Sequence, residues 1–175
     1  MIGLRPMTLD DLGQVEAWMA EPHVAPWWTP DTTSQAMVEK YRRRVSGEDT
    51  ATSMLMVSAD GESIGWCQWY RWDSYPEEAR AMGALPGEVG IDYAIGEPGA
   101  VGKGLGVQMI AALVQEVHRH HPGAGVLVDP QAANQPSRRV LEANGFTLVA
   151  VRQVAGEGPA PRAVYRLSAS SLAMG

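Results

Sequence analysis

The run Val89-Gly90-Ile91-Asp92-Tyr93-Ala94-Ile95 leads into Val101-Gly102-Lys103-Gly104-Leu105-Gly106. A strand that passes through a glycine turn into a helix aims several backbone N–H groups, and the positive end of the helix dipole, at whatever lies beyond it. Glycine permits positive φ and close backbone approach, so Gly102, Gly104 and Gly106 suit a phosphate, with Lys103 adding charge at the rim. A plain tight turn before a packed helix is the other reading of the same glycines. The chain holds no G-x-x-x-x-G-K-[ST], which argues against a nucleotide-hydrolysing loop, and the turn lacks the βαβ frame of a dinucleotide fold. Within the strand, alternation sets Asp92 on the face opposite Ile91 and Tyr93, where a carboxylate can take a proton or hold a cation.

Two other groups carry less chemistry. His118, His120 and His121 crowd a helix end before Pro122, where histidines suit the dipole better than a metal. Cys67 is the single cysteine. It excludes an intramolecular disulfide, argues against a cysteine-built metal site, and reads as a buried inert thiol rather than an acyl carrier, which would want His and Asp nearby.

The elements that position these residues follow from periodicity and breakers. Ile2 to Met7 predicts a strand. Thr8, Asp10 and Asp11 suit a helix start, and the apolar residues Leu12, Val15, Trp18 and Met19 carry that helix to about Ala20. Pro22, Pro26 and Pro30 break the chain around Trp27 and Trp28, and a second helix is expected from about Asp31 to Val45. Strands at Ala51 to Val57 and Ser63 to Trp72 flank Asp60-Gly61, a strong hairpin signal. Asp73 to Gly87, with Pro76, Glu77 and Glu78, reads as a mobile surface loop, and Glu88 to Ile95 as a strand. After the glycine turn, Leu105, Met109, Ile110, Leu113, Val114 and Val117 repeat at helical spacing. Val126 to Val128 reads as a strand buried on both faces, and about Pro136 to Ala143 as a helix ended by Asn144-Gly145. Phe146 to Val154 and Arg162 to Leu167 complete the chain as strands around a turn from Gly156 to Pro161. The expected order is β-α-α-β-β-β-α-β-α-β-β in one α/β (α+β) domain with a mixed central sheet.

Composition sets outer bounds. With 175 residues, 45% hydrophobic and 19% charged, the chain has room for one core and is too rich in apolar residues for long disorder. It carries 14 basic against 20 acidic residues, a net charge of -6 that disfavours nucleic acid and favours cationic small molecules. No apolar run reaches the length of a membrane helix and the start lacks signal-peptide character, so no membrane role and a cytoplasmic location are expected. Edge strands leave monomer or homodimer open.

With this element order, the glycine loop and Asn134 after the following strand, the chain resembles the GCN5-related N-acetyltransferase (GNAT) superfamily across nearly its whole length. A narrower resemblance rests on His23-Val24-Ala25-Pro26-Trp27-Trp28, Ile64-Gly65-Trp66-Cys67-Gln68-Trp69-Tyr70, Gly90-Ile91-Asp92, the glycine turn, Asp129-Pro130 and Asn144-Gly145-Phe146. Together with their spacing these look like the aminoglycoside 6′-N-acetyltransferases, with siderophore lysine acyltransferases as close relatives. The resemblance implies acetyl-CoA as cosubstrate, its pyrophosphate on Gly102, Lys103, Gly104, Leu105 and Gly106, and its arm near Asn134, which reads equally as a cap. Val101 departs from the Gln or Arg usual in the family.

Acyl transfer from a thioester needs a neutral amine, and removing the proton from an aliphatic ammonium of pKa about 10.4 at pH 7 costs about 4 to 5 kcal/mol. Asp92 is the expected general base, directly or through one water, and the family's proposed catalytic aspartate falls on it; a purely anchoring carboxylate is the alternative. A backbone N–H of Ala94 or Ile95 is the expected donor to the thioester oxygen. The position where the family often has a tyrosine acid is Leu141, so no general acid is assigned. Candidate carboxylates for a polycationic acceptor are Asp73, Glu77, Glu78, Glu88, Asp92, Asp129 and Glu157, with Asp129 first by resemblance. Gln68 and Tyr70 suit sugar hydroxyls, and Trp27 and Trp28 suit a pocket wall or the core. The function implied is acetylation of an aminoglycoside at its 6′-amine, which abolishes a positive charge and confers resistance. Acylation of lysine or hydroxylysine in siderophore assembly, and a CoA-binding or aminoglycoside-binding module without turnover, are the alternatives.

Overall fold

The computed structural model describes residues 1–28, 34–154 and 158–169. The elements are β1 (Ile2–Pro6), α1 (Leu12–Met19), α2 (Ser34–Val45), β2 (Thr52–Ala59), β3 (Glu62–Arg71), α3 (Pro76–Met82), β4 (Val89–Ile95), α4 (Leu105–His120), β5 (Val126–Val128), α5 (Gln135–Ala143), β6 (Thr147–Arg152) and β7 (Arg162–Leu167). The strands follow the order β1-β2-β3-β4-β5-β7-β6, a mixed α/β fold of the expected class. Residues fall into two compact units, Met1–Trp69 with Asp92–Met109, and Tyr70–Ile91 with Ile110–Gly175.

In the first unit β1 runs antiparallel to β2, from Ile2↔Ala59 to Pro6↔Leu55. Asp60 (φ 51°) and Gly61 (φ 92°) make the two-residue turn between β2 and β3 that the Asp-Gly signal predicts. The entry to α1 is tied by Asp11, whose carboxylate accepts from the Thr8 N–H at 2.8 Å and from both Arg5 guanidinium arms at 2.6 and 2.7 Å. Chiefly through the Arg5 hydrogen bonds, Asp11 is pulled down to a pKa of about 2. Leu12, Val15, Trp18 and Met19 are buried at the predicted helical spacing and pack with Tyr41, Met54, Met56 and Trp66. The opening of the second helix lies outside the described residues.

In the second unit β4 runs parallel to β5 at Val89↔Val126 and Gly90↔Leu127, and β4 continues for five residues past those pairs. The apolar run Val126 to Val128 is fully buried, as expected for a strand covered on both faces. Two readings need correction. Trp72 closes no strand: β3 ends at Arg71, and Trp72 turns inward in a 3-10 turn, its indole N–H donating to the Leu127 carbonyl at 3.1 Å. Asp73 to Gly87 is not an open loop, since Pro76–Met82 forms a helix. Pro76 stands where no amide hydrogen is needed, Glu77 and Glu78 meet the positive end of the dipole, and Gly83 at φ 72° caps the other end. Part of the Gly156 to Pro161 turn lies outside the described residues.

Candidate active site

Neighbours along β3 and β4 run in opposite directions. In the first unit a Cβ built on Gly65 would stand 2.1 Å from the Ala94 carbonyl oxygen, and Gln68 faces Asp92; in the second, Tyr70 lies against Gly90. Partner numbers fall as β3 advances, which makes the pair antiparallel. Gly65 is thus required by close backbone approach.

This register gives Asp92 its setting. Gln68 is 5% exposed, and its Nε2 donates to Asp92 Oδ2 at 2.5 Å. Its Oε1 accepts from Arg44 Nη1 at 2.9 Å, and Arg44 Nε lies 3.5 Å from Asp49 Oδ2. Asp92 itself is half-buried, consistent with a carboxylate that keeps access to a ligand. Gln68, expected to meet sugar hydroxyls, instead spends both amide atoms inside the protein. Nearby Tyr41 is fully buried and accepts from the Trp66 indole N–H at 3.4 Å; burial pushes its phenol well above the ordinary range, so it stays neutral.

Past β4 the chain runs through a 3-10 turn at Pro98–Ala100 into the glycine turn. Gly102 (φ 76°) and Gly104 (φ 74°) both adopt the left-handed conformation, and a Cβ on either would meet no protein atom within 4 Å. Open space on both glycines, an exposed Lys103 and the 16-residue α4 starting at Leu105 fit a phosphate-bearing ligand. His23 Nε2 lies 2.9 Å from the Ile95 carbonyl and fixes the end of β4.

Among the remaining expected residues, Trp28 packs on the core, its ring 5.4 Å from Trp66, while Trp27 ends a 3-10 turn half-buried. The second unit holds Tyr70, Asp73, Asp129 and Asn134. Tyr70 packs edge-on against Trp72 and Tyr75. Asp73 pairs with Arg71 at 2.6 Å. Asp129 is half-buried just after β5, and Asn134 Oδ1 caps α5 by accepting from the Ser137 N–H at 3.2 Å. Leu141 is fully buried, and Glu157 lies outside the described residues. Glu88 is not a substrate carboxylate, because it is buried and bonded to Arg166. A pocket of about 580 Å³ in this unit is lined by Arg71, His121 and Arg166, but both arginines are already paired with carboxylates. Sequence reasoning passed over Arg44, whose only signal is its place at the end of a helix with two further arginines.

Residues 8–154 match the family of acetyltransferase (GNAT) domains, and the chain belongs to that family of acetyl-CoA-dependent N-acetyltransferases. Over 152 residues it is 29% identical to the aminoglycoside N(6′)-acetyltransferase type 1 of Klebsiella pneumoniae, covering 83% of this chain and 73% of that protein. It is 28% identical over 145 residues to the lysine N-acyltransferase MbtK of Mycolicibacterium paratuberculosis, covering 81% of this chain and 63% of that one. Its fold matches the crystal structure of aminoglycoside acetyltransferase AAC(6′)-Ib in complex with coenzyme A, with a TM-score of 0.79, 24% identity, and coverage of 99% and 98% of the two chains. Among the described residues no helix is long and apolar enough to cross a membrane.

Proposed function

We propose that the chain acetylates an amine of an aminoglycoside, the 6′-amine by resemblance, with Asp92 as general base, and so confers resistance. The observation that carries this reading is a half-buried carboxylate on β4, hydrogen-bonded at 2.5 Å by a buried amide, on the strand that leads into an open left-handed glycine turn. The 29% identity to an aminoglycoside N(6′)-acetyltransferase supports the choice of acceptor.

Acetyl-CoA, when bound, supplies an activated acyl group. Gly102, Lys103, Gly104, Leu105 and Gly106 would hold its pyrophosphate through backbone N–H groups. Asn134 is the residue that the resemblance assigns to the cofactor arm; its cap of α5 uses Oδ1. The N–H of Ala94 or Ile95 would hold the thioester oxygen. Asp92 takes the proton from the acceptor ammonium, directly or through one water, which offsets the cost of presenting a neutral amine at pH 7. Asp129, in the second unit, is the further carboxylate that the resemblance assigns to substrate. The acidic net charge of -6 favours a polycation in solution.

The lysine N-acyltransferase relatives, at 28% identity, favour a second reading in which the acceptor is lysine or hydroxylysine. CoA-thiol release with acetyl-CoA and kanamycin, tobramycin, a 6′-hydroxy analogue, lysine and hydroxylysine separates the two. Turnover of the 6′-amino drugs alone is the expected result; turnover of the lysines alone moves the chain to the second reading, and silence throughout favours a binding module.

A further inference from the structure

The last turn of α2 carries three consecutive arginines, and they do not share one fate. Arg42 and Arg43 are 44% and 59% exposed and pair with surface carboxylates of Glu39 and Glu48. Arg44 is only 6% exposed. A guanidinium withdrawn from water persists only where acceptors receive it. Here the acceptor is Gln68 Oε1 at 2.9 Å, and Asp49 Oδ2, 3.5 Å from Nε, supplies a counter-charge without a hydrogen bond. Asp49 is itself fixed, since its Oδ1 accepts from the Ala51 N–H at 3.0 Å and its own N–H donates to the Arg43 carbonyl at 3.0 Å.

A guanidinium has donors and no acceptor. Facing Gln68, it can be met only by the amide oxygen, so the amide nitrogen must point the other way, at Asp92 Oδ2. Were the amide to flip, its carbonyl oxygen would meet the carboxylate of Asp92 and its N–H₂ would meet Arg44, two repulsive contacts in place of two hydrogen bonds. Tyr41, one turn earlier on α2 and neutral, adds no rival negative charge.

From this we infer that Arg44 is a positioning residue for the catalytic carboxylate: it orients the Gln68 amide and through it the rotamer of Asp92. The inference rests on Asp92 acting as the base, and deepens that reading by adding a helix residue that touches no substrate. A misoriented base costs rate rather than cosubstrate affinity.

The test uses the full chain carrying Arg44→Met, Arg44→Lys, Gln68→Met and the Arg44→Met/Gln68→Met pair. Arg44→Met is expected to lower kcat about tenfold while leaving KM for acetyl-CoA unchanged, Arg44→Lys to recover part of that loss, and the double variant to be no worse than Gln68→Met alone. Losses that multiply in the double variant, or an Arg44→Met enzyme of full kcat, overturn the inference. If Arg44→Met does not fold, the lysine variant carries the same comparison. A second readout needs no turnover: in the unliganded protein the Gln68 side-chain amide protons should be protected from solvent exchange, and the Arg44 substitutions should remove that protection. Retained protection overturns the orienting role even if an inactive Asp92→Asn shows the base assignment to be right. Lost protection beside a fully active Asp92→Asn instead overturns the base assignment and with it the catalytic role of Arg44, leaving only its orienting contact to Gln68.

Discussion

Each unit of the molecule buries an arginine near a carboxylate, and the two arrangements differ in what stands between the charges. In the second unit Glu88 accepts directly from Arg166 at 2.6 and 3.2 Å and from the Leu85 N–H at 2.8 Å. Both partners are largely buried, with 6% and 21% of their side chains exposed. In the first unit a neutral amide separates Arg44 from Asp92, and Asp92 remains half-exposed. Both Glu88 oxygens are taken up inside the protein, by Arg166 and the Leu85 N–H, and the side chain is closed off from any ligand. Asp92 is fixed in direction by a neutral donor and stays half-exposed. The same two residue types thus serve cohesion in one place and, on the proposed reading, chemistry in the other.

If that contrast holds, the largest effect on stability comes from the second unit. Replacing Glu88 by Gln leaves Arg166 without its counter-charge, and unfolding in urea should show a loss of about 3 kcal/mol with kcat of the remaining folded enzyme unchanged. A fall in kcat without a fall in stability would put Glu88 in the chemistry and break the comparison. Next in size is Gly104→Ala: the left-handed backbone at φ 74° costs a side chain about 1 to 2 kcal/mol. The added methyl should also raise KM for acetyl-CoA about tenfold, because it enters the space assigned to the pyrophosphate. An unchanged KM would remove the glycine turn from the cosubstrate site.

The smallest effect is Asp11→Asn, expected to cost about 1 kcal/mol because Arg5 is half-exposed and its pairing is screened. Asp11 is held at a pKa of about 2, below the ordinary carboxylate range, so its contribution is complete above about pH 4 and is lost as the pH falls toward 2. Urea midpoints of wild type and Asp11→Asn should therefore converge at the acid end and separate near neutrality. Midpoints that separate at low pH instead would contradict the assignment.

Much of this was legible in the residues. Helical spacing located α1 and α4, Asp60-Gly61 located the β2–β3 hairpin, and the continuous apolar run located β5. The signals for α3 were present too, in Pro76, the two glutamates after it and Gly83. The count of proline, glycine and acid across residues 73 to 87 outweighed them, although those same residues start and stop a short helix. At the candidate site, strand alternation singled out Asp92 as a carboxylate open to one face, but its partner follows from the β3–β4 register, which no local pattern encodes. Gln68 therefore read as a ligand contact. Arg44 was hidden among three adjacent arginines, which as a sequence look like a solvated helix end; only the rotation of α2 against its core turns one of them inward.

The most direct test of the central claim is kcat of Asp92→Asn at saturating acetyl-CoA and the amine that the acceptor panel identifies, with the urea midpoint recorded on the same protein. Loss of about 100- to 10000-fold in kcat with an unchanged midpoint is the expected result. A kcat within a few-fold of wild type, or a rate that falls only in step with the midpoint, would make Asp92 an anchoring or structural residue and contradict the account.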